Sequence, residues 1–412
     1  MKSSVMQRLF AFIAAAGTLS LSAGDWPQWG GSDARTFSSD ETGLPAEFRP
    51  AKIIYANGQR TTNPALNVRW TAPLGMQTYG NPTVTGGRVF VGSNDARLQD
   101  KRIKRTGGGL LMCLAESDGR LLWQLPIPRM RSRNKRFNFD HMGLGLCSSP
   151  AVDGERVYIT SSRGEILCLD VHGQANGNDG PYTNEGVYMA FNATLPDKPG
   201  RFDWSTVPLP DPIPLQPTDA DIIWRYDMLT ELDVWPQDAV DCSIVVHGDR
   251  IYVATSNGRD EDWNIPSPTA PDIIVLDKHT GALLAVNEGP VGTNIFHGEW
   301  SSPTIANVHG RELLIWGGGD GFCYAFDTAI APDPAGGPGL LKRVWWFDCN
   351  PPHNKWRDGQ PLPYNRNYEG PSEIIATPAF YRNKVYVGVG QDSRHGVGPG
   401  CFSCIDATAT GA

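Results

Sequence analysis

One short phrase recurs five times along this 412-residue chain. The copies read PTVTGGRVFVGSND (82–95), PAVDGERVYITSSRGEILCLD (150–170), SIVVHGDRIYVATSNG (243–258), PTIANVHGRELLIWGGGDGFCYAFD (303–327) and PAFYRNKVYVGVGQD (378–392). Each reads as a short strand, a tight turn with a polar or glycine tip, and an alternating strand such as Arg156-Val157-Tyr158-Ile159. A third apolar strand then runs into Asp-x-x-x-Gly, and a fourth, where present, usually ends on Trp. Four strand signals per unit, repeated every few tens of residues, specify a radial or stacked all-β array. One unit cannot bury both faces of its small sheet, so its neighbours must supply the core.

Two repeat positions sharpen this. Cys113, Cys168 and Cys404 share a site filled by Val275 and Ala325 in the other copies, which marks a buried small-apolar slot and core thiols. Cys401 and Cys404 also form a C-x-x-C, but no second pair stands at zinc spacing. Trp123 follows its slot at the interval at which Ala285 follows Val275, and Trp224 and Trp345 take the same role after insertions. An indole on an outer strand can dock between adjacent sheets. This favours a β-propeller of four-stranded antiparallel blades over a solenoid. Arg69-Trp70-Thr71 reads as a fourth strand without its preceding three, the kind that completes a final blade. The fifth copy stops before its own outer strand. The expectation is therefore a longer protein with about six to eight blades, since an open sheet edge is a hazard.

The domain reading follows. Residues 1–24 carry two positive charges, an apolar run and small residues for cleavage, the pattern of a signal peptide. Residues 25–66 form an extended N-terminal segment, and 67–412 the propeller, interrupted by a Pro-rich 171–221 loop insertion. No later stretch approaches the roughly 20 apolar residues of a membrane span. The formal charge of −8 disfavours nucleic acid as a partner. High Gly and Pro counts, 46 and 33, match many turns between short strands.

Loops entering each first strand should meet at one channel mouth, together with the second-to-third-strand turns. They carry Asp140 and His141, Asp238 and Asp241, His297 and Glu299, and Glu369 with Glu373. Such carboxylates and imidazoles suit a ligand, a Ca²⁺ ion or acid–base work, or equally the capping of turns and channel water. Asp170, Asp277, Asp327 and Asp406 recur at one turn and read as backbone caps. The Asn176–Gly180 run misses the calcium-loop register because Ala175 and Gly177 stand at ligand positions. Basic clusters at 101–105 and 129–136 suit an anionic glycan, a phosphate or an acidic partner, or simply a solvated face. No nucleophile-elbow, zincin, Walker or dinucleotide motif occurs, and no catalytic residue is assignable.

Several stretches together carry a family resemblance. They are Asp25-Trp26-Pro27-Gln28-Trp29-Gly30, Cys147-Ser148-Ser149-Pro150, Leu167-Cys168-Leu169-Asp170, His297-Gly298-Glu299-Trp300-Ser301-Ser302-Pro303, Gly317-Gly318-Gly319-Asp320-Gly321 and Val387-Gly388-Val389-Gly390-Gln391-Asp392. The chain resembles the pyrroloquinoline-quinone-like (PQQ-like) β-propeller repeat family, in particular an exported bacterial subgroup. The resemblance implies two kinds of activity. Quinoprotein dehydrogenases hold PQQ and Ca²⁺ over the central axis and oxidise alcohols or sugars, commonly with a disulfide between adjacent cysteines against the cofactor. No two cysteines are adjacent here. The scaffold lipoprotein of the outer-membrane assembly machine binds protein partners without a cofactor, but this chain lacks its lipid-anchor Cys. The resulting expectation is a periplasmic or secreted binding or scaffold module for a protein or glycan partner in the cell envelope. A PQQ- and Ca²⁺-dependent alcohol or sugar dehydrogenase is the alternative.

Overall fold

The computed structural model describes residues 24–56, 59–132, 142–192, 194–195, 207–260, 262–364, 370–390 and 400–409. Each repeat forms an antiparallel sheet with its strands in chain order. Blade one comprises Thr83–Thr85, Arg88–Asn94, Gly109–Ala115 and Leu121–Ile127. Blade two comprises Ala151–Asp153, Arg156–Thr160, Glu165–Asp170 and Ile222–Asp227. Blade three is Val245–His247, Arg250–Ala254, Ile273–Asp277 and Leu283–Asn287. Blade four is Thr304–Val308, Arg311–Gly317, Phe322–Ala331 and Gly339–Asp348. Blade five shows three strands among the described residues, Ala379–Tyr381, Lys384–Val389 and Cys401–Asp406.

The first strands converge on a common axis, and hydrogen bonds pass from each to the next. Asn81 N–H donates to Ser149 Oγ at 2.8 Å, Ser149 N–H to Ser243 Oγ at 2.9 Å, and Ser243 N–H to Ser302 Oγ at 2.9 Å. Thr304 Oγ1 donates to Pro378 O at 2.5 Å. This relay corrects one register of the sequence reading. Ser243 does not head its strand as Pro150 does; it occupies the position of Ser149, one residue earlier, because its hydroxyl is the acceptor in the chain of bonds.

A single segment, residues 26–35, fills the axis and satisfies the inward-facing strand edges. Trp26 and Val84 exchange backbone bonds of 2.6 and 3.0 Å, and Val152 N–H reaches Pro27 O at 2.7 Å. Ile305 N–H donates to Asp33 O, and Phe380 N–H to Ala34 O, both at 2.9 Å. Arg35, fully buried, spends its guanidinium on the carbonyls of Trp29, Pro303 and Ile244. Those bonds offset the cost of burying its charge. His247 of blade three stands between Asp33 and Glu312, at 2.6 and 3.0 Å. One strip of chain thus touches all five blades, and it makes the sheet set a β-propeller arc.

The small-residue slot and the tryptophan are cross-strand partners. Cys113 pairs with Trp123, Cys168 with Trp224, Val275 with Ala285, and Ala325 with Trp345. In every case the register shifts immediately after the slot residue, a bulge that tilts the outer strand. Cys113, Cys168, Val275 and Ala325 are buried. Cys404 is exposed, contrary to the slot reading, because no outer strand or further blade covers it among the described residues. Cys401 and Cys404 lie three apart on one strand, so their side chains leave on opposite faces and cannot chelate together. The recurring aspartates accept the backbone N–H two residues on, from His172, His279, Ala329 and Thr408.

Residues 69–71 have no strand partner among the described residues, and Trp70 gives its N–H to Glu116 O of blade one. The 171–221 insertion does not stay on the face where it begins. It pairs with the outer strand of blade one (Gln124 with Asp219) and carries a short helix, Glu185–Ala190, up to Arg163 on the mouth side. No helix among the described residues is long and apolar enough to cross a membrane.

Candidate functional site

The mouth over blades three and four is assembled from loops that enter first strands and from second-to-third-strand turns. Gly258 bridges Gly298, Pro236 bridges Asn257, and Phe296 N–H reaches Gly319 O at 2.8 Å. These ties bring residues distant in sequence onto one surface. Three non-glycine residues here, Asp238, Ser256 and Trp263, hold left-handed backbone with φ of 53°, 61° and 65°. Each costs on the order of 1 kcal/mol or more and persists because surrounding contacts impose it.

His297 is the centre of an aromatic cluster. Trp263 stacks on it at 5.7 Å with an interplanar angle of 14°, and Trp300 meets it edge-on at 4.6 Å. Its Nε2 lies 3.8 Å from Asp238 Oδ2. Trp300 Nε1 is held by Gln237 O at 3.3 Å, and Trp235 Nε1 by Asp233 Oδ1 at 3.3 Å. Arg259 braces the cluster, donating to the carbonyls of Ile295, Phe296 and Tyr364. Trp235, Trp263 and Trp300 are all half-buried, and the Arg259 guanidinium lies 5.9 Å from the Trp263 ring centre.

The other predicted residues fall around this cluster without joining into one centre. Asp241 lies beneath Asp238, and one of its carboxylate oxygens is buried without a hydrogen-bond partner. Burial, helped by the Asp238 charge, pushes its pKa up to about 6. Glu299 is fully buried at the joint of blades three and four and, in its protonated form, shares a hydrogen bond with Asp272. Burial first, and then the facing Asp272, push it well above the ordinary carboxylate range. Asp272 is itself pushed by burial to about 6. Asp320 is pushed to about 7 although Tyr324 Oη donates to it at 2.6 Å. Glu373 is buried on the side of blade five, next to Ser372 at 3.4 Å. Asp140, His141 and Glu369 lie outside the described residues.

The tryptophans predicted to dock blades sit on turn glycines of the following blade. A Cβ on Gly119, Gly173 or Gly281 would come within 2.5, 2.8 and 2.6 Å of Trp70, Trp123 and Trp224 respectively. The indole N–H groups reach the carbonyls of Glu116, Val171 and Lys278 at 2.7, 2.8 and 3.1 Å. Trp345 is buried, but its N–H finds no acceptor among the described residues.

Sequence reading missed Trp235, Trp263, Asp272 and Asp320 as mouth residues. Asp320 stood in the Gly-rich run 317–321, a turn signal that gave its place but not its partner. The basic 101–105 cluster is also less available than its charge suggests. Arg102 is held by Asp100 and by Asp219, the latter at 2.7 and 2.9 Å. Arg105 is spent on Leu98 O.

The fit of PQQ and Ca²⁺ can be tested on these groups. Among the described residues, no three or more His, Cys, Asp or Glu side chains are arranged to hold a metal ion. Glu299 and Asp272 are bonded to each other and bring too few oxygens for the roughly six to eight a Ca²⁺ takes. All eight cysteines are free, so no disulfide lies against the axis. The described residues do not fit the pair.

Fold and mouth together define a β-propeller with an axial N-terminal strip and an aromatic, acidic opening. No family model matches the chain, and no curated protein matches it. Among solved structures it is similar to the quinohemoprotein alcohol dehydrogenase of Comamonas testosteroni, at 13% identity and a TM-score of 0.42. That match covers 89% of this chain and 57% of the other. It is also similar to BamB from Moraxella catarrhalis, at 14% identity and a TM-score of 0.36, covering 77% of this chain and 72% of that one. A third similarity is to the quinohemoprotein alcohol dehydrogenase ADHIIG of Pseudomonas putida HK5, at 13% identity and a TM-score of 0.39. Coverage there is again 89% and 57%, so the chain spans little more than half the length of either dehydrogenase.

Proposed function

We propose that this chain is an exported, non-catalytic binding module of the cell envelope that holds a glycan or protein partner at its mouth. The observation that carries the reading is the cluster of His297 with Trp263 and Trp300, next to Asp238. Half-exposed indoles give flat apolar faces for sugar rings or apolar side chains, and a nearby carboxylate accepts hydroxyl or amide hydrogens. The axial strip leaves the opposite end of the channel occupied by chain, so the aromatic end is the natural place of contact.

The test is an oligosaccharide array followed by capture from an envelope extract, with the wild type and Trp263→Ala side by side. Expected is a retained glycan or protein whose binding falls about tenfold or more in the variant, the loss typical of an aromatic anchor. Retention unchanged in Trp263→Ala, or nothing retained at any salt, would defeat the reading. Among the described residues no donor set supports the dehydrogenase alternative. Adding the quinone and Ca²⁺ should give no dye reduction with alcohols or sugars, and sustained turnover would reverse the assignment.

A further inference from the structure

Away from the mouth cluster, a cavity of about 210 Å³ opens between blade two and the 171–221 insertion. It is smaller than the roughly 300–1,000 Å³ of pockets for drug-sized ligands. Arg163, Arg225, Tyr182, Tyr188, Phe191 and Leu209 line it.

Arg163 is 2% exposed, and its guanidinium lies 4.5 Å from the Tyr188 ring centre. Its Nε donates to Pro128 O at 2.9 Å and its Nη2 to the carbonyls of Tyr188 and Phe191. Its Nη1 makes no bond among the described residues. Arg225 gives Nη1 to Glu165 Oε1 at 2.8 Å, and its Nε and Nη2 make no hydrogen bond among the described residues. Glu165 accepts from Ser161 at 2.9 Å and Tyr188 at 2.7 Å on its other oxygen, and it feels the charge of Arg163 as well as Arg225 without a recorded hydrogen bond to Arg163. The Tyr182 hydroxyl has no partner among the described residues either. The two guanidiniums, balanced in part by Glu165 and Asp227, thus present N–H and O–H donors unspent among the described residues, beside aromatic and aliphatic walls.

We propose that this cavity binds a ring-borne carboxylate. The anion takes the unspent donors of Arg225, Arg163 and Tyr182, where guanidinium–carboxylate bonding is strongest. The ring lies against Phe191, Tyr188 and Leu209. The site is independent of the mouth, so Trp263→Ala leaves it intact.

Calorimetric titration of the full chain with benzoate and with glucuronate tests this, with benzyl alcohol and inorganic phosphate as comparators. One or both acids should bind at a single site, and their ranking separates an aryl from a sugar source. Arg225→Gln should weaken binding about 10- to 100-fold, the size expected for a lost charged hydrogen bond. Val187→Trp, which fills the cavity without touching the ion pair, should abolish it and carries the test should Arg225→Gln misfold. Neither acid binding at about 10 mM, well above a millimolar dissociation constant, overturns the proposal. So does benzyl alcohol matching benzoate, phosphate exceeding both acids, or either folded variant binding as tightly as the wild type.

Discussion

The joint between blades one and two and the joint between blades three and four solve the same packing problem differently. At the first, Trp123 is inserted over Gly173, fully buried, with its N–H on Val171 O. At the second, Ala285 stands where the indole would be, and the following blade has no tight glycine turn. Instead its third and fourth strands run on as a long hairpin, Phe322–Ala331 and Gly339–Asp348. The outer strand of blade three then pairs with that hairpin in parallel, Ala285 with Gly339 through Asn287 with Leu341. Ring and socket are lost together, and backbone hydrogen bonds replace them. The lesson is that the tryptophan is one half of a two-part device, and its absence at a copy forecasts a change in the neighbouring turn.

That contrast can be broken experimentally. The largest effect is expected for Trp123→Ala, which empties the socket and strands the Val171 carbonyl. It should cost about 3–5 kcal/mol in urea unfolding, the usual range for a large buried aromatic. Placing a ring where no socket exists, Ala285→Trp, should overpack the strand-paired joint by about 1–3 kcal/mol. A neutral or stabilising result there would mean that the two joints are interchangeable.

The strand-paired joint also has its own pH dependence. Asp272 and Asp320 titrate near 6 and 7 in the folded chain, and Glu299 is raised further, whereas unfolded carboxyls titrate near about 4. The folded state therefore holds more protons than the unfolded chain between those values. Its stability is full below the unfolded pKa and declines as pH rises through 6 and 7. Glu299→Gln removes one of these titrating groups while keeping an N–H donor toward Asp272, and should raise stability at pH 8 by about 1–3 kcal/mol because no buried charge or proton uptake is then required. It should also flatten the difference in urea midpoint between pH 5 and pH 8. A slope equal to the wild type would place the pH response elsewhere, for example at Asp221 or Asp241, which burial shifts the same way. The smallest effect compares two indoles. Trp123→Phe loses a hydrogen bond and should cost about 0.5–1.5 kcal/mol more than Trp345→Phe, whose N–H is unpartnered.

What the sequence made legible were the features that recur. The slot of Cys113, Cys168, Val275 and Ala325 could be read because four copies agree on size, and the aspartate caps because each acts on its own next turn. Features made once, from distant pieces, left no such signal. Asp272 and Glu299 belong to different loops and become a pair only when two blades meet. Arg35 looked like an ordinary residue of an extended segment, yet it is buried on the carbonyls of blades three and four. Trp263 was invisible because its role depends on His297 across a loop. Cys404 was misjudged since its burial depends on what covers the strand rather than on the strand itself.

The axial strip has a consequence for how the molecule comes to be made. Residues 26–35 are synthesised early, but their bond to Phe380 waits for the fifth blade, some 350 positions later. The strip can pair with blades one and two as they emerge, yet its tie at Ala34 waits for blade five, so it is drawn tight in stages, in the manner of a drawstring. A chain interrupted before blade five would keep its sheets yet lack the tie between Ala34 and Phe380.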